Sequence, residues 1–536
     1  MIKYLQTAIF LSVGVSAYAW TVGTEPTNKS VVIEEYTGIH CPNCPDGHKK
    51  ATMLHHAHPD NLFLVSIHAG AFAEPSRNEP DYITQCGKDI HDYFDVTSYP
   101  SGTVNRRDVG NGVVQGRSDW GSSARVIATE ISPVNLLASC SYDKDNRKLD
   151  VSVEGYFTGI MDNPLLTVEI LQDNILGPQS GGLLGVEYPH RHMLRSMLNE
   201  DSFGDKIPFT GENTYFSKEY SVTLPDNIDG VPLIDSDIQI LAFVSEGKDE
   251  IVKASKCFLP LAAEDAASNI FVQSEPLLSI GKNYALGYVE LFIDNYSYQP
   301  LTEATFEIKL NNETSIIDWT GNVAPHHEQL IKVNLPAAWE GIIDSDSNSI
   351  SIKMLTANNE PTVLEVLPIK YTFSKISEMP DELTVKITTD IEAADNTFRI
   401  IDSDGNTVAE FGPYPDGSNK TYEENIKLDK GKVYGFEVAD MWGNGLYHPR
   451  GSVKFYDNDG KIRGQLMEIS DFGVRHFFRT SDDSGIGSIE DDDVSTKEYF
   501  DLTGRKLDKP AEGVTIVVTT KQDGSKKITK KINNIR

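Results

Sequence analysis

The sequence predicts a multidomain chain in which an α/β segment is followed by all-β modules. Between residues 31 and 135, apolar runs typical of strands alternate with helically spaced segments. From about residue 136 onward, period-two patterning takes over. The chain's 536 residues also exceed one domain, since domains commonly run ~100–200 residues.

The elements follow in order. Met1-Ile2-Lys3 is a short basic start, Tyr4 to Val15 is mostly apolar, and Ala17-Tyr18-Ala19 carries small residues at the two positions read by signal peptidase. Residues 1–19 therefore read as a secretory signal cleaved after Ala19, which places the chain in an exported, oxidising compartment. The apolar run is shorter than the ~20 residues of a membrane span, and no cysteine stands near the cleavage point to carry a lipid. Val31 to Tyr36 is a β-rich run. Pro45 to His58 has helical composition and stops at Pro59-Asp60-Asn61. Leu62 to Ile67 is continuously apolar, as in a strand buried on both faces. Asp81 to Phe94 has helical spacing, Ser101 to Asn105 reads as a strand, and Ser118 to Ile131 reads as an amphipathic helix. These elements make one α/β domain, residues 31–135.

Beyond it, alternating stretches such as Leu149–Val153, Ile238–Phe243, Val289–Ile293, Ile350–Met354 and Leu383–Ile387 fit three β-sandwich modules, at 136–262, 266–373 and 374–480. Residues 481–497, with Glu490-Asp491-Asp492-Asp493 at their centre, read as an acidic linker. Residues 498–536 form a separate small β unit with a basic end.

A net charge of −31 disfavours nucleic acid and anionic lipid as broad-surface partners. Five cysteines are too few for a disulfide-stapled scaffold. Two of them, however, make Cys41-Pro42-Asn43-Cys44 between the first strand and the first helix. A thiol at a helix N-terminus feels unpaired N–H groups and the positive end of the dipole, which favour thiolate. The two-residue spacing lets Cys44 resolve a mixed disulfide on Cys41. His40 stands beside the nucleophile and could lower its pKa further. Cys86 lies at an apolar helical position and reads as a buried thiol. Cys140 and Cys257 sit in β-rich stretches and could pair, leaving Cys86 as the odd one.

Six of the thirteen histidines (His40, His48, His55, His56, His58, His68) flank the CxxC. Thiolate and imidazole suit zinc or copper(I). Yet only two cysteines are close, and His55-His56-Ala57-His58 reads as a solvated helix end, so no metal is assigned. Asp440-Met441-Trp442-Gly443-Asn444-Gly445 is a turn with too few oxygens for calcium.

Glu35, six positions before Cys41, and Tyr99-Pro100, after the second helix, stand where thioredoxins carry a buried acid and a cis-proline. The segment thus resembles a thioredoxin fold. More narrowly, Glu34–His48 with Tyr99–Arg106 resembles the 28-kilodalton outer-membrane-protein family of Bacteroides-like bacteria, and Tyr188–Arg195 resembles that family's β-domain segment. The resemblance implies a thioredoxin-like domain followed by immunoglobulin-like or jelly-roll-like β-sandwich modules. It implies Cys41 as attacking thiol, Cys44 as resolving thiol in a redox-active disulfide, Glu35 as proton acceptor, and Tyr99 and Pro100 as the substrate groove. No cofactor beyond that disulfide is implied. His40, where an aromatic is usual, and the long Ala69–Pro80 connection depart from ordinary thioredoxins. Tyr499–Lys506, Gly513–Val517 and the Lys-rich end resemble type A sorting domains of the type IX secretion system, with Thr515 where an aromatic is common.

The expected function is thiol–disulfide exchange with exported protein thiols or disulfides, at the outer membrane, the cell surface or outside the cell, with the periplasm as the other location. The competing expectation is a non-catalytic envelope protein with a structural CxxC, whose β modules bind a cell-surface partner.

Overall fold

The computed structural model describes residues 21–182, 187–262, 271–280, 284–339, 347–362, 369–374, 376–417, 419–446, 450–467, 469–481, 494–500, 506–507, 513–521 and 526–533. Residues 1–20, which hold the expected signal segment, and residues 482–493 of the expected acidic linker lie outside them. The chain is mostly β and folds as two compact units, residues 1–427 with 433–479, and residues 428–432 with 480–536.

In the larger unit the first elements are β1 (Val31–Thr37), α1 (Cys44–Ala57), β2 (Leu62–His68), α2 (Gln85–Tyr93), β3 (Ser101–Val104), β4 (Val114–Gly116) and α3 (Trp120–Ala128). α2 starts four residues later than the apolar spacing predicts, because Thr84 caps it, accepting a hydrogen bond from Gly87 N at 3.1 Å. α3 is likewise shorter than Ser118–Ile131.

β1 and β2 pair in parallel and are buried throughout, as the apolar run of β2 predicts. Side chains alternate along β1. Val31 and Ile33 pack with Leu54 of α1 and Trp120, Ala124 and Ile127 of α3. Val32 and Tyr36 pack on the opposite face with Ile90 of α2. Glu34 and Glu35 therefore face opposite layers.

The following segment holds β5 (Val134–Asp143), β6 (Lys148–Phe157), β7 (Pro164–Gln172), β8 (Ile175–Gly177), β9 (Tyr188–His190), β10 (Met193–Met197), β11 (Asp205–Lys206), β12 (Thr214–Thr223), β13 (Asn227–Ile228), β14 (Val231–Pro232), β15 (Ile238–Glu246) and β16 (Glu250–Phe258). It does not stand apart from the α/β elements. One nine-stranded sheet runs β16-β15-β7-β10-β2-β1-β3-β4, with β11 on β7. The join is β10 beside β2, where Met193 pairs with Ser66 and Ser66 N donates to His192 O at 2.8 Å. A three-stranded sheet, β12-β6-β5, covers the far end. Leu136, Val151 and Val153 of that sheet pack against Leu166, Val168, Ile240 and Ala242.

Residues 271–373 form a three-stranded and a five-stranded sheet around one core, with Leu291 from the first meeting Phe306, Ile352 and Met354 from the second. Residues 376–479 contribute a four-stranded and a six-stranded sheet, the latter including Ser279–Ile280. The Asp440–Gly445 loop is more than a turn: Trp442 inserts beside Leu54, Trp120 and Phe472, and its ring stacks on His58 at 3.8 Å. In the smaller unit, Lys506–Leu507, Val494–Phe500, Gly513–Lys521 and Lys526–Asn533 form an antiparallel four-stranded sheet. Val494 to Lys497, expected in the linker, are already strand because they pair with Thr519 to Lys521. Among the described residues no helix is long and apolar enough to cross a membrane.

The sheet's centre is ionic. Arg106 donates from Nε to Glu34 Oε2 at 2.8 Å and from Nη2 to Oε1 at 2.5 Å, with both side chains wholly buried. Removing one partner of such a pair strands the other charge in a low-dielectric core. Glu34→Gln should therefore cost about 3–5 kcal/mol in urea denaturation, and a loss below about 1 kcal/mol would show that the core tolerates Arg106 unpaired.

Candidate functional site

β1 ends at Thr37 and α1 begins at Cys44, so the CxxC sits on a six-residue turn into the helix. Gly38 permits that turn: a Cβ there would lie 2.4 Å from Phe72 C. His40 N then donates to Phe72 O at 3.0 Å. Cys41 and Cys44 form a disulfide with Cα atoms 5.5 Å apart. Cys41 is 1% and Cys44 0% exposed.

The cover over Cys41 comes from the connection between β8 and β9. Gln179 Nε2 donates to Gly38 O at 3.2 Å and to Cys41 O at 3.0 Å. Ser180 N donates to Ile39 O at 2.8 Å. Gly181, at φ +76°, lies so close that a Cβ would stand 2.1 Å from Pro42 O. Only glycine fits both the left-handed conformation and that approach. Residues 179–181 thus form a strap across the motif, a feature its sequence does not signal.

Glu35 points to the α1 face. Its carboxyl is buried, and Oε1 has no hydrogen-bond partner; His48 Nε2 lies 3.8 Å from it. Burial holds the Glu35 carboxyl well above the usual carboxylate range, partly offset by Arg117. His48, on α1, bonds Thr37 Oγ1 at 2.9 Å through Nε2 and Tyr188 OH at 2.8 Å through Nδ1. Burial, reinforced by His190 and Arg191, pulls its pKa down to about 3, so the ring is neutral. Pro100 is buried behind a cis Tyr99–Pro100 bond. It reaches α1 at Gly47, where a Cβ would stand 2.8 Å from Pro100 Cβ and 2.5 Å from Glu35 Oε1.

The other expected site residues lie further out. His40 is half-exposed, and its Nε2 bonds Glu79 Oε2 at 2.9 Å. Tyr99 is half-buried; its hydroxyl lies 2.5 Å from His91 Nε2 and its ring packs edge-on to Phe72, which is 40% exposed.

A cavity of about 380 Å³ opens behind Glu35, lined by residues that include Ile33, His48, His56, His68, His190 and Arg191. Neither nitrogen of His68 has a partner, nor has Nδ1 of His190. Burial lowers the His190 and His192 rings to about 4, and His68 well below its ordinary value. Burial therefore opposes charge on these imidazoles and on the Glu35 carboxyl alike, and favours the neutral form of each. Sequence reasoning quoted His190 and His192 without assigning them a role.

The solvated helix end expected at His55–His58 is not there. His55 and His56 are buried because the 271–373 module packs on them: His55 Nε2 bonds Glu328 Oε1 at 2.8 Å, and the His56 ring stacks on Phe292 at 4.3 Å with Asp294 Oδ1 2.7 Å from Nε2. Among the described residues no group of three or more His, Cys, Asp or Glu side chains is placed to hold a metal ion.

Residues 87–256 match the family described as outer membrane protein Omp28. That stretch runs from α2 into β16 and leaves Cys41 and Cys44 outside it. No curated protein matches the chain. Solved structures similar to it include HBP35 of Porphyromonas gingivalis, 17% identical over 58% of this chain and 99% of that one, TM-score 0.37. A protein from Agrobacterium tumefaciens is 9% identical over 43% of this chain and 95% of its own, TM-score 0.28. A domain of the outer membrane lipoprotein Omp28 from Porphyromonas gingivalis is 18% identical over 24% of this chain and 88% of its own, TM-score 0.17.

Gly47 tests the packing of the site. Overpacking costs about 1–3 kcal/mol, while Gly to Ala within a helix returns up to about 1 kcal/mol. Gly47→Ala should therefore lose about 1–2 kcal/mol net in urea denaturation. Equal or higher stability would mean that α1 is free to shift away from Pro100.

Proposed function

We propose that the chain is an exported, envelope-associated thiol–disulfide exchange protein of thioredoxin-like fold, acting on exported protein thiols or disulfides through Cys41 and Cys44. The strand order β2-β1-β3-β4 with β1 and β2 parallel, β3 and β4 antiparallel, and a CxxC opening α1 supports the fold assignment. The match to an outer-membrane-protein family supports the envelope.

The buried Glu35 carboxyl, whose Oε1 has no hydrogen-bond partner, carries the reading. Burying a carboxyl without a hydrogen bond costs stability, and a disulfide with a purely structural job has no use for it. In exchange it has one. A substrate thiolate attacks Cys41 Sγ, the Cys41–Cys44 bond breaks, and Cys44 leaves as thiolate. The Glu35 carboxyl protonates it. In the reverse direction Cys41 thiolate attacks a substrate disulfide and one substrate thiolate leaves; Cys44, its proton taken by Glu35 carboxylate, then attacks Cys41 in the mixed disulfide, and the second substrate thiolate leaves as the Cys41–Cys44 bond forms. No cofactor enters either direction. Cys41 lies under residues 179–181, so exchange requires that strap to lift.

The same burial of Cys41 favours a second reading, in which the disulfide is structural and the β modules bind a cell-surface partner. An insulin-reduction assay on the mature chain separates the two. Wild type should exceed Cys41→Ser, and equal background rates in both would remove the exchange reading. Glu35→Gln should slow exchange by about a hundredfold, the low end of general acid–base contributions. It should also alter stability in a defined direction. Folded Glu35 keeps its proton above ~4.3, where the unfolded carboxyl loses it, so wild-type stability falls as pH rises past that value. Glu35→Gln removes that fall, measured as unfolding free energy against pH.

The C-terminal unit is proposed to direct passage across the outer membrane. Deleting residues 498–536 should retain the protein in the periplasm. Unchanged surface or medium fractions would reject that role.

A further inference from the structure

β5 and β16 are both edge strands: β5 ends the three-stranded sheet and β16 ends the nine-stranded one. They lie against each other where the two sheets meet. Ala138 N of β5 donates to Ser255 Oγ of β16 at 3.0 Å. Side chains repeat every second residue along a strand. Two residues further on each strand stand Cys140 and Cys257, and Cys140 Sγ lies 3.1 Å from the Phe258 carbonyl oxygen. The two thiols therefore face each other across the seam. Both are only half-buried, and both pack against the same sandwich core. A hydrogen bond from the Cys257 thiol lowers the pKa of Cys140 and raises that of Cys257.

We propose that Cys140 and Cys257 are a second redox pair, closing to a disulfide between the two sheets on reaction with a small-molecule disulfide. The chemistry balances without any other reagent. Cys140, as thiolate, attacks one sulfur of the oxidant RSSR; the S–S bond breaks and one RS⁻ leaves and takes up the proton Cys140 released. Cys257, deprotonated in turn, attacks the Cys140 sulfur of the mixed disulfide. The Cys140–Cys257 bond forms and the second RS⁻ leaves with the Cys257 proton. Two thiols are oxidised and one RSSR is reduced to two RSH. The bond would link strands more than a hundred residues apart in sequence, and long closed loops are where such cross-links restrict the unfolded chain most.

Glutathione disulfide is the probe, and the mature Cys41→Ser/Cys44→Ser chain is the substrate, so the result does not depend on the exchange centre. After incubation, unfolding and alkylation, peptide mapping should show Cys140 linked to Cys257 and only Cys86 alkylated. Cys257→Ala should stop at a stable glutathione adduct on Cys140. Closing the bond should raise Tm by roughly 3–8 °C, a response absent from Cys140→Ser/Cys257→Ser. If that double variant does not fold, the peptide map of the parent chain decides alone. Alkylation of both Cys140 and Cys257 in the oxidised parent, or a persistent adduct on Cys140 with Cys257 still free, would overturn the proposal.

Discussion

The buried pair of Glu34 and Arg106 organises the nine-stranded sheet. Ion pairs taken out of water have a desolvation cost that only close geometry and further hydrogen bonds offset. Here Thr103 Oγ1 adds a hydrogen bond to Glu34 at 2.9 Å. The guanidinium is ringed by Phe94, Phe203 and Phe243 at 5.9, 5.4 and 5.3 Å. Two of those rings come from the β segment after α3, so the charge pair and its cage lock that segment to β1. Arg106 reaches the site through two successive left-handed residues, Asn105 at φ 51° and Arg106 at φ 56°. That conformation is unfavourable for residues with a Cβ. It is held by the Asn105 side chain, which donates to Ser30 O and Ile251 O and accepts from Val32 N.

This pair also fixes what Glu35 can do. Consecutive strand residues face opposite ways, so seating Glu34 against Arg106 turns Glu35 toward α1 and the disulfide. Near the ion pair, burial and then Glu34 raise Glu169 to about 8, which keeps that second carboxyl neutral at neutral pH. One face of β1 thus carries a paired charge. The other carries a carboxyl that burial keeps protonated, next to imidazoles that burial keeps neutral. The contrast separates structure from chemistry within two adjacent residues of one strand.

Local signals in the sequence were read correctly for local reasons. The alternation of strand and helix over 31–135, the buried run of β2, and the CxxC at the mouth of α1 all depend on residues within a dozen positions of one another. What was not legible depends on distant pairing. The contact of β10 with β2 rests on Met193 and Ser66 and leaves no periodic trace in either stretch. His55 and His56 look solvated because nothing in a helix of that polarity announces the module that covers them. Trp442 looks like a turn residue because its pocket is built by Leu54, Trp120 and Phe472. Glu35, Tyr99 and Pro100 were readable as letters at expected places. The strap at 179–181 was not, because the Gln179 side chain and the backbone of Ser180 and Gly181 meet backbone groups about 140 positions away, and neither stretch announces the other.

The β modules are walls of the candidate site. The cavity behind Glu35 is bounded by α1 and β2 on one side, by residues 188–192 on another, and by Val272, Gln273 and Ser274 of the next module on a third. Gly121 lies so close to Trp442 that a Cβ there would meet its carbonyl oxygen, so α3 is seated against the module at 376–479 as well. Without those modules the Glu35 side of β1 would open to water, and the carboxyl would lose desolvation that raises its pKa. The acidity of the group beside the disulfide therefore depends on residues more than two hundred positions downstream. This gives the long β portion of the chain an electrostatic consequence at Glu35 in addition to any surface it offers a partner.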